Sequence, residues 1–120
     1  MKIKSSVSNS TWHKFLDQCS ESTIFHTPEI KSFFKKTSNY KPYSLFFTHN
    51  ERILGMLSGV RIVEFDGLLS FFTSRNIIFG YPITILNKNS SFVIERLLSY
   101  HKKHISACSI YDEIRNLDYN

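Results

Sequence analysis

Few residues in this sequence are of a type and spacing that could carry chemistry. His101 and His104 are three positions apart, which would place both imidazoles on one helix face within reach of a shared metal ion. No carboxylate completes the HExxH pattern of zinc proteases, and no third ligand can be identified. We therefore expect a half-buried His101 and a solvent-exposed His104, without a metal ion between them.

The other chemically capable residues are isolated as well. Asp112 and Glu113 are adjacent in a segment with strand character, so their side chains would point to opposite faces and could not act as an acid/base pair. Cys19 lies on an apolar helix stripe, where a thiol is more often a packing residue than a nucleophile. The sequence has no glycine-rich phosphate loop, no GxSxG motif and no CxxC motif. Spacing alone therefore assigns no enzyme class.

The composition limits the classes of protein to which this chain can belong. The chain has 120 residues, 42% of them hydrophobic, which is enough for one domain with a buried core and excludes a wholly disordered protein. Its formal net charge of +5 favours anionic partners, but the basic residues are scattered and form no nucleic-acid arm. No apolar run is long enough to cross a membrane, and the N-terminus has no secretory h-region. Two cysteines fit a reducing compartment, so a cytoplasmic location is expected.

Two helices are predicted from apolar residues at helical spacing. The first is short, can be capped by Ser10 or Thr11, and has an apolar stripe. That stripe consists of Trp12, Phe15, Leu16 and Cys19. The other is longer and covers roughly Ser90 to His104. Both are amphipathic, so each should pack one face against a sheet.

A further helix is predicted between these two from its start signal. Thr27-Pro28-Glu29 joins a capping hydroxyl, a proline at the first helical position and a carboxylate near the positive end of the helix dipole. The helix should end near residues 37–39. Its apolar residues Ile30, Phe33 and Phe34 are expected to face inward.

Strand patterns occupy most of the remaining chain. Strands are predicted at residues 43–47, 52–65, 68–73 and 108–114, and residues 74–82 continue as strand or loop. Gly55 and Gly59 indicate a bulge or the close approach of another backbone, and Asp66-Gly67 indicates a tight hairpin. The predicted order is α-α-β-β-β-α-β: a single α+β domain over residues 1–120. Its sheet is mostly antiparallel and flanked by helices, and the strand after the last helix adds in parallel.

An aromatic and basic segment raises a nucleic-acid alternative. Four aromatic residues and three lysines of this segment could form a stacking surface with phosphate contacts. They are Tyr40, Tyr43, Phe46, Phe47, Lys35, Lys36 and Lys41. No recognised nucleic-acid-binding pattern accompanies them. We therefore favour a structural role, in which Phe46 or Phe47 faces the core and the lysines are solvated.

Five sequence blocks, in order, resemble the Fem-type (FemABX-like) peptidyl and aminoacyl transferases, which are structural kin of the GNAT acetyltransferases. The similarity spans Trp12 to Leu117. The blocks are Trp12 and Phe15 with Ile24-Phe25-His26-Thr27-Pro28-Glu29, Tyr40-Lys41-Pro42-Tyr43, Ile53-Leu54-Gly55-Met56-Leu57, Ser74-Arg75 leading into Phe79-Gly80-Tyr81-Pro82, and Glu113-Ile114-Arg115-Asn116-Leu117.

The resemblance implies an activity. Enzymes of this family move an aminoacyl group from tRNA, or in relatives an acyl group from a thioester such as acyl-CoA, onto an amine of a cell-wall or surface-polysaccharide precursor. The acceptor amine attacks an activated carbonyl directly, so the protein positions both substrates and stabilises the developing oxyanion. That chemistry agrees with the lack of a nucleophile motif. No catalytic residue and no metal ligand is assigned.

The resemblance also implies substrate contacts. Lys35 or Lys36 corresponds to the basic residue that contacts the acceptor's diphosphate, and should face a cleft formed with the loop around Gly80. Arg75 and Tyr81, in the fourth block, are the other expected substrate-binding residues.

Family members are much longer than this chain, so the resemblance implies an N-terminal, acceptor-side portion of a GNAT-like half-domain, truncated and without the donor site. A cofactor bound by this chain itself is then not expected. The expected partners are a diphosphate-linked precursor and tRNA, which the missing half of the fold would bind. The chain is also expected to pair, through an open last strand, with a second GNAT-like half or with another copy of itself. The alternatives are a non-catalytic module that binds an anionic glycan or nucleotide precursor, and a small basic nucleic-acid-binding domain.

Overall fold

The computed structural model describes residues 2–63, 75–79, 82–85, 90–105 and 111–115; at 75 and 111–115 it describes the backbone. The elements in chain order are β1 (Lys2–Lys4), α1 (Asn9–Gln18), a 3₁₀ turn (Ile24–His26), α2 (Pro28–Lys35), β2 (Tyr40–His49), β3 (Arg52–Ile62), β4 (Arg75–Phe79), β5 (Ile83–Thr84), α3 (Ser90–His104) and β6 (Tyr111–Arg115). The predicted α+β class is confirmed, and the structure adds two short strands, β1 and β5.

One sheet runs through the described residues in the order β1-β2-β3-β4-β6, with β5 also paired to β3. The neighbours are antiparallel except β4 and β6, which are parallel, as predicted for the strand after the last helix. The predicted hairpin at Asp66-Gly67 and the predicted strand at 68–73 lie outside the described residues.

A tight hairpin joins β2 and β3. Asn50 and Glu51 both have positive φ, 52° and 62°, the backbone that a two-residue hairpin turn requires. Close to this turn the register slips, because Phe47 pairs with Gly55 and Thr48 with Ile53. The slip is a β-bulge, one of the two explanations that the sequence offered for the glycines of this strand.

The other explanation, close approach, is confirmed at both glycines of β3. A Cβ atom on Gly59 would lie 2.5 Å from the Tyr43 hydroxyl oxygen and 2.7 Å from the Ile77 carbonyl oxygen. A Cβ atom on Gly55 would lie 2.5 Å from a methyl carbon of Val93 on α3. The missing side chains therefore let β4 and α3 pack directly against β3.

Helix starts follow local capping chemistry. The Thr27 hydroxyl accepts the Ile30 N–H at 3.3 Å and Pro28 is the first residue of α2, as predicted. At α1 the capping residue is Ser8, whose hydroxyl accepts the Thr11 N–H at 3.3 Å. The prediction of a cap at Ser10 or Thr11 is wrong, because the helix begins earlier, at Asn9.

Helices cover both faces of the sheet. Trp12 and Phe15 of α1 pack on Phe46 and Met56, and Val93 and Leu97 of α3 pack on the opposite face. Phe46 and Phe47 are consequently both buried, at 0% and 2% exposure. The core role favoured for this segment is confirmed, and these two rings cannot form a stacking surface. Phe33 of α2 is 62% exposed, so its predicted inward position is wrong.

Candidate functional site

The parallel pair β4–β6 defines the end of the sheet at which a ligand site is expected. The two strands pair from Arg75 with Tyr111 to Phe79 with Arg115, and α3 lies between them in the chain. Ligands of open sheets bind outside the carboxyl ends of parallel strands. Beyond Phe79 the chain continues as β5, which pairs with β3, and within the described residues no strand covers the outer edge of β5. We call this opening between the described strands, at the carboxyl end of β4, the gap.

Aromatic rings pack around that end. Phe79, the last residue of β4, stacks on Phe25 at 4.8 Å and on Phe34 at 5.6 Å between ring centroids. Phe34 also contacts Tyr40 at 5.8 Å. We call Phe25, Phe34, Tyr40 and Phe79 the aromatic cluster. It fixes the 3₁₀ turn and α2 against the end of β4, so both elements form a wall of the gap.

His26 lies beside the aromatic cluster and is 3% exposed. Its Nδ1 accepts the Thr23 backbone N–H at 3.0 Å, which places the proton of the neutral ring on Nε2. Its backbone carbonyl accepts the Trp12 indole N–H at 2.7 Å. Two elements are thereby joined at one residue, because Trp12 belongs to α1 and Thr23 caps the 3₁₀ turn that contains His26.

The His26 ring is held neutral with a buried donor. Burial lowers the pKa of His26 to about 4, and the Phe79 backbone carbonyl opposes this by raising it. Beyond this carbonyl, Nε2 has no hydrogen-bond partner in the structure. A neutral N–H donor beside the end of β4 can orient a backbone carbonyl or a substrate carbonyl, whereas Nδ1 is occupied and cannot serve as a base.

The sequence did not indicate a role for His26. It belongs to the first family-like block, and no sequence pattern assigns it a function. A local signal does exist, since Thr23 and His26 form a reciprocal capping box. That pattern predicts a fixed imidazole, although it does not predict what the second ring nitrogen faces.

The predicted lysines lie near this end of the sheet. Lys35 is in the last turn of α2 and Lys36 caps it, and both are exposed. Their neighbour Phe34 stacks on Phe79, so the end of α2 is close to the carboxyl end of β4. Cations also favour the negative end of a helix dipole, so a purely structural role would account for the same positions.

Of the two remaining predicted site residues, the structure describes only the backbone of Arg75. Arg75 starts β4, paired with Ile62 and Tyr111, four residues before Phe79 and thus about 13 Å from it along the strand. Tyr81 and the neighbouring Gly80 lie outside the described residues. The substrate-binding roles of Arg75 and Tyr81 therefore stay predictions.

Histidines elsewhere in the described part are engaged in protein contacts. His101 is 3% exposed, more buried than predicted, and its Nε2 lies 2.8 Å from the Tyr43 hydroxyl. His104 is exposed, as predicted, and its ring lies 4.2 Å from that of Tyr100. Among the described residues no group of three His, Cys, Asp or Glu side chains could hold a metal ion. The Asp112 and Glu113 side chains lie outside the described part.

Cys19 is a packing residue, as predicted. It is 5% exposed and its thiol donates to the Thr84 carbonyl at 3.4 Å. Burial raises the pKa of this thiol, which disfavours the reactive thiolate. Among the helices in the described ranges, none has the length and apolarity that crossing a membrane requires.

Comparison with known proteins supports the fold. No protein-family model matches the sequence. No curated protein matches it either. Among solved structures, a transcriptional regulator from Bacillus halodurans C-125 matches with a TM-score of 0.61 and 12% identity, over 96% of this chain and 81% of that chain. The apo aminoglycoside antibiotic 6'-N-acetyltransferase AAC(6')-IG from Acinetobacter haemolyticus matches with a TM-score of 0.51 and 13% identity. This match covers 98% of this chain and 81% of that chain. At such identities the likeness shows the fold alone, which is GNAT-like.

Proposed function

We propose that this GNAT-like chain is an acyltransferase domain that transfers an acyl group to an amine. The observation that carries the proposal is the fold, which matches that of an N-acetyltransferase over 98% of the chain. The gap at the carboxyl end of β4 supports it, because two substrates must meet in one cleft.

The proposed reaction needs no protein nucleophile. The acceptor amine attacks the carbonyl carbon of a thioester, the new C–N bond forms, and the C–S bond breaks. The amine loses one proton, and the leaving thiolate takes up one proton to give a free thiol. With an aminoacyl-tRNA as donor, the ester C–O bond breaks instead, and the ribose oxygen takes up the proton as a free hydroxyl. The role left to the protein is to hold both substrates and to stabilise the negative charge that develops on the carbonyl oxygen.

Residues at the gap suit such a positioning role. The aromatic cluster packs beside β4, and the fixed neutral ring of His26, which is buried, supplies an N–H donor there. A donor in a site from which water is excluded interacts more strongly with charge than one in water. We therefore propose that His26 and the aromatic cluster keep the end of β4 in the geometry that the transfer requires.

The proposed acceptor is an amine on a diphosphate-linked cell-wall or surface-polysaccharide precursor, and the proposed donor is acyl-CoA or aminoacyl-tRNA, as in Fem-type enzymes. The sequence blocks that resemble that family support this. So does the position of Lys35 and Lys36 at the end of α2, close to Phe79. In the proposed site one or both of these lysines contact the diphosphate.

The activity is tested by incubating the purified chain with acetyl-CoA and a nucleoside-diphosphate amino sugar, followed by mass spectrometry of the acceptor. The same assay is run with an aminoacyl-tRNA as donor. We expect an amide product together with free CoA or deacylated tRNA, and none with heat-denatured protein. The proposal fails if neither donor yields product and neither donor binds in calorimetry.

The acceptor contacts are tested by replacing both lysines. Lys35→Ala combined with Lys36→Ala should weaken binding of the diphosphate-linked amino sugar about tenfold, because charge-assisted bonds to phosphate are lost. A matched control is Lys102→Ala combined with Lys103→Ala, since this pair is also exposed near the C-terminus of a helix. Calorimetry that shows equal loss in both double variants would indicate a general charge effect and remove the acceptor assignment.

A binding module without catalysis is the second candidate, favoured by the match to a transcriptional regulator and by the net charge of +5. If the chain binds nucleic acid through several phosphates, affinity should fall by orders of magnitude between about 50 and 200 mM salt. A chain that binds DNA or RNA in this way and forms no amide product would favour the module over the enzyme.

A further inference from the structure

A cavity of about 350 Å³ lies between α1 and the hairpin that joins β2 to β3. One wall is a face of α1, and the other is the hairpin turn with the first residues of β3. The lining residues are Thr11, Lys14, Phe15, Gln18, Glu51, Arg52 and Ile53. We call this cavity the hairpin cavity. It includes neither His26 nor a residue of the aromatic cluster, so it is not part of the site proposed for acyl transfer.

The α1 wall follows from helical spacing. Thr11, Lys14 and Gln18 are three and then four positions apart, which places them on one side of the helix. Phe15 lies on the same side and is 3% exposed, and Ile53 of β3 is 2% exposed. These two buried side chains belong to one core cluster and form an apolar floor. The cavity therefore combines a small apolar floor with polar side chains around it.

The charged side chains of the cavity are accessible. Lys14, Glu51 and Arg52 are all exposed, so a ligand reaches them without displacing any part of the chain. The Arg52 guanidinium donates to the Gln18 side-chain oxygen at 3.5 Å, which directs it toward the α1 wall. The cations therefore come from both walls, whereas the carboxylate comes from the hairpin turn.

These charges do not neutralise one another. Although two cations and one carboxylate line the same cavity, neither Lys14 nor Arg52 forms an ion pair with Glu51. Within the ranges that the structure describes, the ion pair is that of His13 with Glu29. Charges of both signs thus face the hairpin cavity and are left for a ligand.

Glu51 occupies a turn position that favours glycine. Its φ is 62°, in the left-handed region, where residues other than Gly, Asn and Asp are uncommon. Two-residue hairpin turns of this kind strongly prefer Asn followed by Gly, and here Asn50 is followed by glutamate. Backbone strain of this kind is concentrated at functional sites. A glutamate at this position therefore calls for a reason other than turn formation.

A ligand that matches these groups carries two opposite charges. A carboxylate would be held by Lys14 and Arg52. The Thr11 hydroxyl accepts from the Ser8 hydroxyl at 2.8 Å, so its own proton is left to donate to the same carboxylate. An ammonium group would pair with Glu51, which would repel an anion that lacks one.

We propose that the hairpin cavity binds a small zwitterion with an apolar side chain, of which a free apolar amino acid is the simplest example. The ligand carboxylate contacts Lys14 and Arg52, and the ligand ammonium group contacts Glu51. The ligand side chain covers the apolar floor. The volume of the cavity is at the small end of ligand cavities, which suits a ligand of this size. The contact with the ammonium group accounts for a glutamate at this turn position.

The first test removes one ligand charge at a time. The probe is L-leucine, titrated into the full chain and followed through the backbone amide signals of two-dimensional NMR spectra. L-leucinamide lacks the carboxylate, and isocaproate lacks the ammonium group while keeping the same side chain. We expect each of them to bind about tenfold more weakly than leucine. Glycine should also bind more weakly than leucine, because it leaves the floor uncovered.

The second test removes the partner of each charge. Glu51→Gln should weaken leucine binding about tenfold and leave isocaproate binding unchanged or stronger, because isocaproate has no ammonium group. Lys14→Gln should weaken leucine binding about threefold, since Arg52 remains, and leave leucinamide binding unchanged. The controls are Glu21→Gln and Lys102→Gln, the same charge changes at exposed residues outside the cavity. Both should bind leucine like the unmodified chain.

A third variant separates the strain of the turn from the charge. Glu51→Gly should raise the melting temperature by about 3 °C, because glycine adopts the left-handed backbone without a steric penalty. It should nevertheless bind leucine as weakly as Glu51→Gln does.

Any of four results would overturn the proposal. They are equal binding of leucine and its two singly charged analogues, unchanged leucine affinity in Glu51→Gln, no gain of stability in Glu51→Gly, and amide shifts confined to residues outside the hairpin cavity. Shifts at Phe79 with none at Ile53 would place leucine at the gap instead. None of these measurements involves acyl transfer, so they are independent of the proposed activity.

Discussion

Replacing Gly59 with alanine is expected to destabilise the fold by about 3 kcal/mol, near the upper end of overpacking costs. The new methyl group would sit 2.5 Å from the Tyr43 hydroxyl and 2.7 Å from the Ile77 carbonyl oxygen. The carbonyl belongs to β4 and cannot move without disturbing the β3–β4 ladder. Displacing Tyr43 would also break its contact with buried His101. Urea unfolding monitored by circular dichroism measures the loss.

Gly55→Ala is the matched comparison. Its methyl group would lie 2.5 Å from a methyl carbon of Val93. The nearest backbone atom, the Ile83 carbonyl oxygen, would be farther away, at 3.1 Å. A side chain can rotate more easily than a sheet can shift, so we expect a loss of about 1 kcal/mol. In a Tyr43→Ala background the cost of Gly59→Ala should shrink without vanishing, because the Ile77 carbonyl remains. Equal losses at both glycines would contradict the packing described for β4.

Acid should destabilise the domain through His26. Its pKa is about 4 in the folded state and 6.5 in the unfolded chain. Between these values the unfolded chain binds the proton and the folded one does not, so the free energy of unfolding falls as the pH drops from 6.5 to 4. A tenfold change in proton affinity is worth about 1.4 kcal/mol. The free energy of unfolding should therefore be lower by about 3 kcal/mol below pH 4 than at neutral pH.

Urea titrations at several pH values between 4 and 7 test this. His26→Asn offers an oxygen to the Thr23 N–H but does not titrate, so its stability should depend less on pH in this window. His49→Asn is the control, because His49 is exposed and outside the core. The His26 assignment fails if the His26→Asn variant keeps the full pH dependence of the unmodified chain.

Local signals in the sequence predicted much of the fold. The Thr27-Pro28 start of α2, the extent of α3 and the close approach at the two glycines of β3 are all confirmed. Each depends on chemistry within a few residues, such as a cap, a repeat of apolar positions or a missing side chain. β1 was missed because its three residues include only one apolar side chain, which is too little to show a period.

Features that depend on tertiary packing could not be predicted. Ser44 is a small polar residue in a predicted strand, yet helices cover both sheet faces and bury it. Phe33 follows the helical spacing of the core residues but projects past the edge of the aromatic cluster. His26 gained its role from Trp12 and Phe79, which are distant in sequence.

The pairing of β4 with β6 also bears on the order in which the chain folds. The β2–β3 hairpin closes over a turn of two residues, whereas β6 reaches β4 only after β5 and α3. Closing the longer loop costs more chain entropy and raises the contact order at this edge of the molecule. We therefore expect the gap at the carboxyl end of β4 to assemble late, and under mild denaturation its amides should exchange with solvent before those of the hairpin.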